Sequence, residues 1–292
     1  MEHISCIICG DNNFVQLITL SDRLGYSLES FQLVKCECNF IYLNPRPDIQ
    51  QILSYYKSSN YDPHNTLNED GWGKIYRFVQ QIAFRWKYNK IAAIQSSGRR
   101  LLDIGGGNGE FAVFMASKGW DVVLQDSISK VEDRNIDKNF KFVKDLHILK
   151  DGQKFDVITL WHSLEHIHDV EELYNQINRL LSHDGILLIA VPNLSAPEKI
   201  FYGKKWVPFD APRHLYHFQI ESLKDLCNKY KFKILRKYSL YQDTPYNILL
   251  SIYKNSPFQI LKGILVFFYS IFRTIISGPH YSSSFIIICK KS

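Results

Sequence analysis

Arg100-Leu101-Leu102-Asp103-Ile104-Gly105-Gly106-Gly107-Asn108-Gly109-Glu110 is the stretch on which the fold of this 292-residue chain turns. Leu101 to Ile104 form an apolar run of strand length, the glycines read as a tight turn, and the residues from Glu110 to Lys118 carry a helical pattern. A strand that empties through glycines into a helix puts the turn at the carboxyl edge of a sheet, where α/β proteins bind ligands. Glycines at 105, 107 and 109 let backbone approach a ligand where side chains would collide. A dinucleotide fingerprint counted from Gly105 requires a glycine at position 110, and Glu110 stands there. The acid Asp103 at the start of the loop repels a pyrophosphate but suits a ligand that carries an ammonium and a sulfonium.

Outward from this loop, short apolar runs alternate with amphipathic segments, the pattern of a parallel sheet covered by helices on both faces. Strands are expected at Leu101–Ile104, Asp121–Gln125, Phe140–Val143, Phe155–Leu160 and Gly185–Val191, with Lys231–Tyr238 and Phe285–Cys289 closing the sheet. Val170, Leu173, Ile177 and Leu180 recur at helical spacing, so the crossover before Gly185 is an amphipathic helix. The fold class is therefore α/β, a doubly wound, mostly parallel, seven-stranded Rossmann-like sheet spanning residues 100–292, with an apolar helical insertion at about 240–283. Residues 1–47 read as a small cysteine-bearing ribbon closed by Pro45-Arg46-Pro47. Residues 48–99 read as a linker and helical cover, with Tyr55, Tyr56 and Tyr61 followed by Ile75, Phe78, Val79, Ile82, Phe84 and Trp86.

Strand, glycine loop, helix and the acid Asp126 just after the second strand together resemble the class I S-adenosylmethionine-dependent methyltransferases over about residues 100–240. The resemblance implies that Asp103 and the backbone of Gly105, Gly107 and Gly109 cradle the methionine part of S-adenosylmethionine. It also implies that Asp126 binds the ribose hydroxyls, that Asp145 and Leu146 contact adenine, and that Trp161 and His162 pack on the cofactor. A carboxylate accepts two hydroxyl protons well, which suits Asp126 to ribose. Taken alone, Asp126 is as readily a surface acid or helix cap, and the glycine run an ordinary turn.

Trp161-His162-Ser163-Leu164-Glu165-His166 follows the fourth strand, again at the ligand edge. His162 and His166 stand four apart, as zinc ligands on a helix do, but no third ligand is near them in sequence. In the family resembled, Glu165-His166 orders the wall of the active site. Further on, Pro212-Arg213-His214-Leu215-Tyr216-His217-Phe218 resembles the signature of a bacterial methyltransferase subfamily found with polysaccharide and natural-product pathways. Methyl transfer to a hydroxyl needs a base near the attacking oxygen, and histidine titrates in the useful range. His214 or His217 is the expected base, His166 a further candidate, and Arg213 the anchor of an acidic substrate group or of an internal carboxylate. Loop bracing is the competing reading for these histidines. No serine sits in a nucleophile elbow, which argues against hydrolase chemistry.

Cys6-Ile7-Ile8-Cys9-Gly10 and Cys36-Glu37-Cys38 can together form a closed four-thiolate zinc site, structural rather than catalytic. The resemblance extends here, since many relatives begin with a Cys-x-x-Cys-Gly ribbon followed by the run matched by Leu43-Asn44-Pro45-Arg46-Pro47. The second pair departs from the usual Cys-x-x-Cys, although in a strand Cys36 and Cys38 point to one face. Cys227 and Cys289 are expected as buried hydrophobes.

Apolar residues make up 46% and charged residues 22% of the chain, which excludes wholesale disorder. The net charge of +6 conceals an excess of basic residues after position 197, suited to anionic lipid, a nucleotide-linked substrate or nucleic acid, with an ordinary solvated lysine-rich face as the competing reading. The first residues carry no secretion-signal pattern, so a cytoplasmic location is expected, with peripheral contact at the inner face of the membrane through residues 246–276. Within that stretch Lys262 and Arg273 interrupt any run of the ~20 apolar residues that cross a bilayer, and a substrate lid or dimer contact is the competing reading. The Asn/Asp-Pro-Pro-aromatic motif of amino-methylating nucleic-acid enzymes is missing at Leu160-Trp161-His162-Ser163, so no nucleic-acid partner is expected. The expected activity is methyl transfer to a small-molecule or sugar-linked acceptor, by O-methyl or C-methyl transfer; a non-catalytic partner- or membrane-binding module is the alternative.

Overall fold

The computed structural model describes residues 1–25, 27–56, 71–95, 98–128, 140–252 and 256–292. Tyr61 and the side chains of Ile75 and Phe78 lie outside the described residues.

The parallel core consists of β4 (Arg100–Ile104), β5 (Asp121–Gln125), β6 (Lys141–Val143), β7 (Phe155–Trp161) and β8 (Leu181–Pro192). With β10 (Phe232–Ser239) and β11 (Ser284–Lys291) they form a seven-stranded sheet in the order β10-β11-β8-β7-β4-β5-β6. β11 pairs antiparallel with both β10 and β8, and the remaining pairs are parallel. The central strands are buried on both faces, as Leu101, Leu102, Val157, Ile158, Leu187 and Ile189 show by having no exposed surface. That explains their continuous apolar runs. β8 starts at Leu181, earlier than Gly185, because Leu181 already pairs with Phe155 before the register shifts.

Helices α2 (Glu110–Ser117), α3 (Val170–Leu180) and α5 (Ile220–Lys229) supply the crossovers. The Asp169 carboxylate caps α3 by accepting from the Glu172 N–H at 2.9 Å, a contact worth about 1 kcal/mol. One face of α3, with Val170, Leu173, Tyr174, Ile177 and Leu180, is buried.

The cysteine segment does not close on itself. Strands β1 (Phe14–Ser21), β2 (Ser30–Cys36) and β3 (Ile41–Leu43) form a sheet whose fourth member is β9 (Tyr216–His217), from the Pro212–Phe218 signature. Tyr42 pairs with Tyr216 across it. The Leu43–Pro47 run staples this arrangement. Asn44 Oδ1 accepts from the Ile4 N–H at 3.1 Å, and Arg46 donates to Glu2 at 2.7 Å, to the Tyr216 hydroxyl at 2.6 Å and to the His168 carbonyl at 3.2 Å. The ribbon and the large sheet share one apolar cluster.

Helix α1 (Gly71–Ala92) covers the sheet. Its inward residues include Phe84 and Ile91, whereas Val79 and Ile82, expected on the apolar face, are 50% and 54% exposed. The expected insertion is α6 (Asp243–Ser251) and α7 (Pro257–Ser277), packed against the short α4 (Glu198–Tyr202).

Candidate active site

The loop after β4 turns through Gly105 and Gly107, at φ +68° and +55°, a region closed to most side chains. A Cβ at Gly105 would lie 2.5 Å from the Ser163 side chain, so that glycine is required by packing. A Cβ at Gly107 would meet nothing within 4 Å, so the backbone there faces open space. Below the loop, Asp103 is 1% exposed. Its Oδ1 accepts from the Thr159 hydroxyl at 2.6 Å, while Oδ2 is buried with no hydrogen-bond partner. Burial pushes the Asp103 carboxyl up to about 6, against the opposing pull of Thr159 and Lys87. A buried carboxylate with an unused lone-pair face beneath an open glycine loop fits a ligand ammonium.

Asp126 sits on the rim. Its Oδ2 accepts from the Gly107 N–H at 2.9 Å and Oδ1 from the Ile128 N–H at 2.9 Å, so the acid is tied to the loop it would serve. Asp145 is exposed and caps the turn after β6 through the His147 N–H. The Leu146 side chain belongs to the core at 8% exposure, and its carbonyl accepts from the Leu149 N–H and from Arg179. The Trp161 ring stands edge-on to Phe111, and its Nε1 is buried without a partner.

His162 adopts φ +52°. Its Nε2 lies 3.0 Å from Asp243 Oδ2 and its Nδ1 3.6 Å from Glu165 Oε1. Although burial opposes the charge, Asp243 and then Glu165 raise the imidazole to about 10. The ring is thus a buttress between two carboxylates rather than a neutral packing surface for a cofactor.

A second cluster lies beside it. Glu165, His166 and His214 present ligand atoms all within 4.8 Å of one another, and among the described residues they form one of the two groups able to hold a metal ion. His166 Nδ1 faces the Arg213 carbonyl at 2.9 Å and His214 Nδ1 faces the Pro208 carbonyl at 2.8 Å. Each carbonyl orients the Nδ1–H of its ring, and the Tyr56 hydroxyl also lies 3.0 Å from His166 Nδ1. Glu165 is 1% exposed, and neither carboxylate oxygen has a hydrogen-bond partner. Burial and the neighbouring His214 push His166 down to about 4, so it is neutral. The sequence places a third ligand for this cluster far from His166, on the loop brought back by the Leu215 N–H bond to the Glu165 carbonyl at 2.8 Å.

A family profile described as a methyltransferase domain matches residues 76–237, more than half of the chain. The chain belongs to that methyltransferase domain family. A ubiquinone biosynthesis O-methyltransferase of Pelagibacter ubique is 31% identical to this methyltransferase domain over 37% of the chain and 51% of the relative. A second protein of that name, from Rickettsia typhi, is 26% identical over 50% of the chain and 65% of the relative. The match thus spans about half to two-thirds of these relatives. A solved structure titled a putative sarcosine dimethylglycine methyltransferase from Galdieria sulphuraria aligns at a TM-score of 0.50 with 16% identity, over 74% of this chain and 88% of that one. It shares the fold.

The structure decides between the alternatives for two expected residues of the methyltransferase domain: Arg213 anchors internal carboxylates rather than an acidic substrate group, and His217 is buried away from the role of base. Arg213 has no exposed surface. It donates to Asp210 at 3.0 and 2.7 Å and to Asp22 at 2.8 Å, so it joins β1's end to the signature loop and does not reach an acceptor. His217 is 5% exposed in β9, with its ring edge-on to Phe209, and burial holds it down at about 3. That burial removes it from the role of base.

Sequence reasoning missed Lys87 and Asp243. The Lys87 ammonium of α1 lies 3.9 Å from the Trp161 ring centroid, where burial lowers it to about 8 while Asp243 and Asp103 oppose the fall. Neither residue belongs to a recognisable motif, and both arrive by tertiary packing.

The four cysteines of the ribbon converge. Cys6 and Cys38 sulfurs are 3.5 Å apart and Cys9 and Cys36 sulfurs 3.4 Å, all four lying within 4.8 Å. These are non-bonded distances, close to the edges of a tetrahedron with metal–sulfur bonds of about 2.3 Å. Cys227 and Cys289 are fully buried 3.9 Å apart, as hydrophobes.

Proposed function

We propose that this methyltransferase domain transfers a methyl group from S-adenosylmethionine to a hydroxyl oxygen of a small acceptor of the sugar, glycan or secondary-metabolite class. The observation that carries the proposal is the buried Asp103 carboxylate, with one oxygen unpartnered beneath the open backbone at Gly107. S-adenosylmethionine, when bound, supplies a methyl carbon attached to a sulfonium leaving group. Asp103 would hold its ammonium, Gly105 to Gly109 its methionine backbone, and Asp126 its ribose hydroxyls.

Oxygen as the accepting atom rests on the histidine cluster. His214 Nε2 accepts the hydroxyl proton, and the buried Glu165 carboxylate nearby, shared with His162, stabilises the imidazolium that results. The curated relatives, named as O-methyltransferases, support the same atom. Sugar and glycan acceptors rest on the Pro212–Phe218 signature. Structural zinc at Cys6, Cys9, Cys36 and Cys38 belongs to the proposal, since four thiolates close the coordination sphere and leave no catalytic position.

Incubation with methyl-labelled cofactor and a panel of nucleotide sugars, glycans and phenols, read by mass spectrometry, tests the reading. Label on a hydroxyl oxygen, lost in His214→Ala, is the expected result. Label on nitrogen, or transfer unaffected by His214→Ala, overturns it.

A further inference from the structure

The last third of the chain carries a pattern that neither the cofactor pocket nor the histidine cluster uses. From Thr244 to Ser292 there is no acidic residue, while Lys254, Lys262, Arg273, Lys290 and Lys291 fall in that stretch. Within it, α7 is divided lengthwise. Gly263, Val266, Ser270 and Thr274 form its buried stripe. Ser270 Oγ donates to Glu198 Oε2 of α4 at 3.0 Å, and a Cβ at Gly263 would stand 3.0 Å from Ile252. The opposite stripe is bare. Leu261, Leu265, Phe268, Phe272, Ile275 and Ile276 are 55% to 68% exposed. Ile200 and Leu249, on the flanking α4 and α6, are 77% and 66% exposed. Exposed apolar side chains at this density mark a docking surface rather than scattered surface residues.

Charge identifies what docks. Lys204 and Lys205 follow α4 and are exposed, and Lys262 and Arg273 stand on α7. The two acids of these segments are withdrawn, Glu198 with no exposed surface and Asp243 engaged by His162. An apolar face fringed by cations and lacking free carboxylates complements an anionic lipid leaflet, where long lysine stems reach outward to phosphate. A cleft of about 510 Å³ opens on the same side, lined by Phe201, Tyr202, Lys205, Ser251, Gln259 and Lys262. Lys262 donates to the Phe201 carbonyl at 2.8 Å and so is held at the mouth of the cleft, and the aromatic rings beside it and Lys205 suit a phosphate-bearing headgroup.

We infer that this face rests on an anionic phospholipid surface, with α7 lying in the plane of the interface and headgroup phosphate received near Lys205 and Lys262. By length and composition the segment Pro257–Tyr281 also suffices to cross a bilayer. Crossing would tear Ser270 from Glu198 and expose the small-residue stripe to lipid, leaving buried polar groups unpaired. Lying flat keeps both contacts and wets only the residues already bare. This inference stands apart from the proposed methyl transfer and is tested without it.

The test is co-sedimentation of the full chain with vesicles of phosphatidylglycerol and phosphatidylcholine in equal parts, and with phosphatidylcholine vesicles alone. The protein should sediment with the anionic vesicles, and Phe268→Glu/Phe272→Glu should lower partitioning about tenfold or more. Lys204→Glu/Lys205→Glu should erase the preference for anionic over neutral vesicles. Both double variants should bind S-adenosylmethionine or melt as the wild type does, which separates lost docking from lost folding. Failure of the wild type to sediment with either vesicle overturns the inference, as does equal sedimentation of Phe268→Glu/Phe272→Glu. A dimer in solution that this variant turns into a monomer also overturns it, by assigning the face to a second copy of the chain.

Discussion

Asp243 Oδ2 lies 3.0 Å from His162 Nε2, which ties the first turn of α6 to the loop after β7. His162 holds φ +52°, a left-handed backbone that costs a non-glycine residue of order 1 kcal/mol or more. The ion pair offsets that strain, and it links the apolar helices directly to the wall of the cofactor pocket.

The pair predicts a histidine that does not titrate near neutrality. With its folded value raised to about 10 from 6.5, His162 contributes stability that is complete below the lower value and is lost as pH rises through the upper one. In NMR titrations the His162 ring signals should stay flat from about pH 6 to 8. Asp243→Asn should bring the titration down towards the ordinary range and destabilise the fold by about 1 kcal/mol, a modest figure because the ring is partly exposed. Ordinary titration in the wild type would contradict the pair.

Asp103 predicts a pH dependence of cofactor binding. Its folded value is raised to about 6 from 3.8, so its proton stabilises the fold at low pH and that contribution disappears as pH rises through about 6. Holding an ammonium needs the carboxylate, so S-adenosylmethionine affinity should rise as pH climbs through the same value. Asp103→Asn should bind about tenfold to a hundredfold more weakly and lose this pH dependence. Calorimetric titration across pH checks both statements.

His214 and His217 should separate cleanly. His214→Ala should leave cofactor affinity unchanged and slow turnover by about 10²- to 10⁴-fold. His217→Ala, which empties a buried site beside Phe209, should instead lower the melting temperature. Equal loss of turnover without loss of stability in His217→Ala would reverse the assignment.

The sheet was legible because its strands are apolar on both faces and its punctuation is strong. Glycines 105 to 109 mark the turn, and Val170 to Leu180 keep a strict helical spacing. The glycine loop after β4 was legible for the same reason, since its positive φ angles and close packing leave few choices besides glycine. For Arg213 the sequence left two partners open, a substrate group or an internal carboxylate, because a signature records that an arginine stands there and not that Asp210 and Asp22 fold against it. The pairing of β9 with β3 was hidden, as two residues of strand carry no periodicity. Lys87 and Asp243 were hidden too, because each reaches the pocket from an element whose sequence signals only its own helix.

The ribbon predicts a metal that supports folding. About one zinc per chain should be found by elemental analysis. Cys36→Ser should lose it and lower the melting temperature, whereas Cys227→Ala, in the core beside Cys289, should retain it. Metal-free wild type with an undiminished melting temperature would remove zinc from the account.

The central claim is the cofactor pocket, and calorimetry of S-adenosylmethionine binding to wild type and Gly107→Val tests it most directly. Gly107 turns at φ +55° with open space where its Cβ would be, so valine both strains the loop and fills the position reserved for ligand. The wild type should bind, and Gly107→Val, with its circular dichroism unchanged, should bind at least about a hundredfold more weakly. Equal affinity in the two proteins would place the cofactor elsewhere and contradict the account.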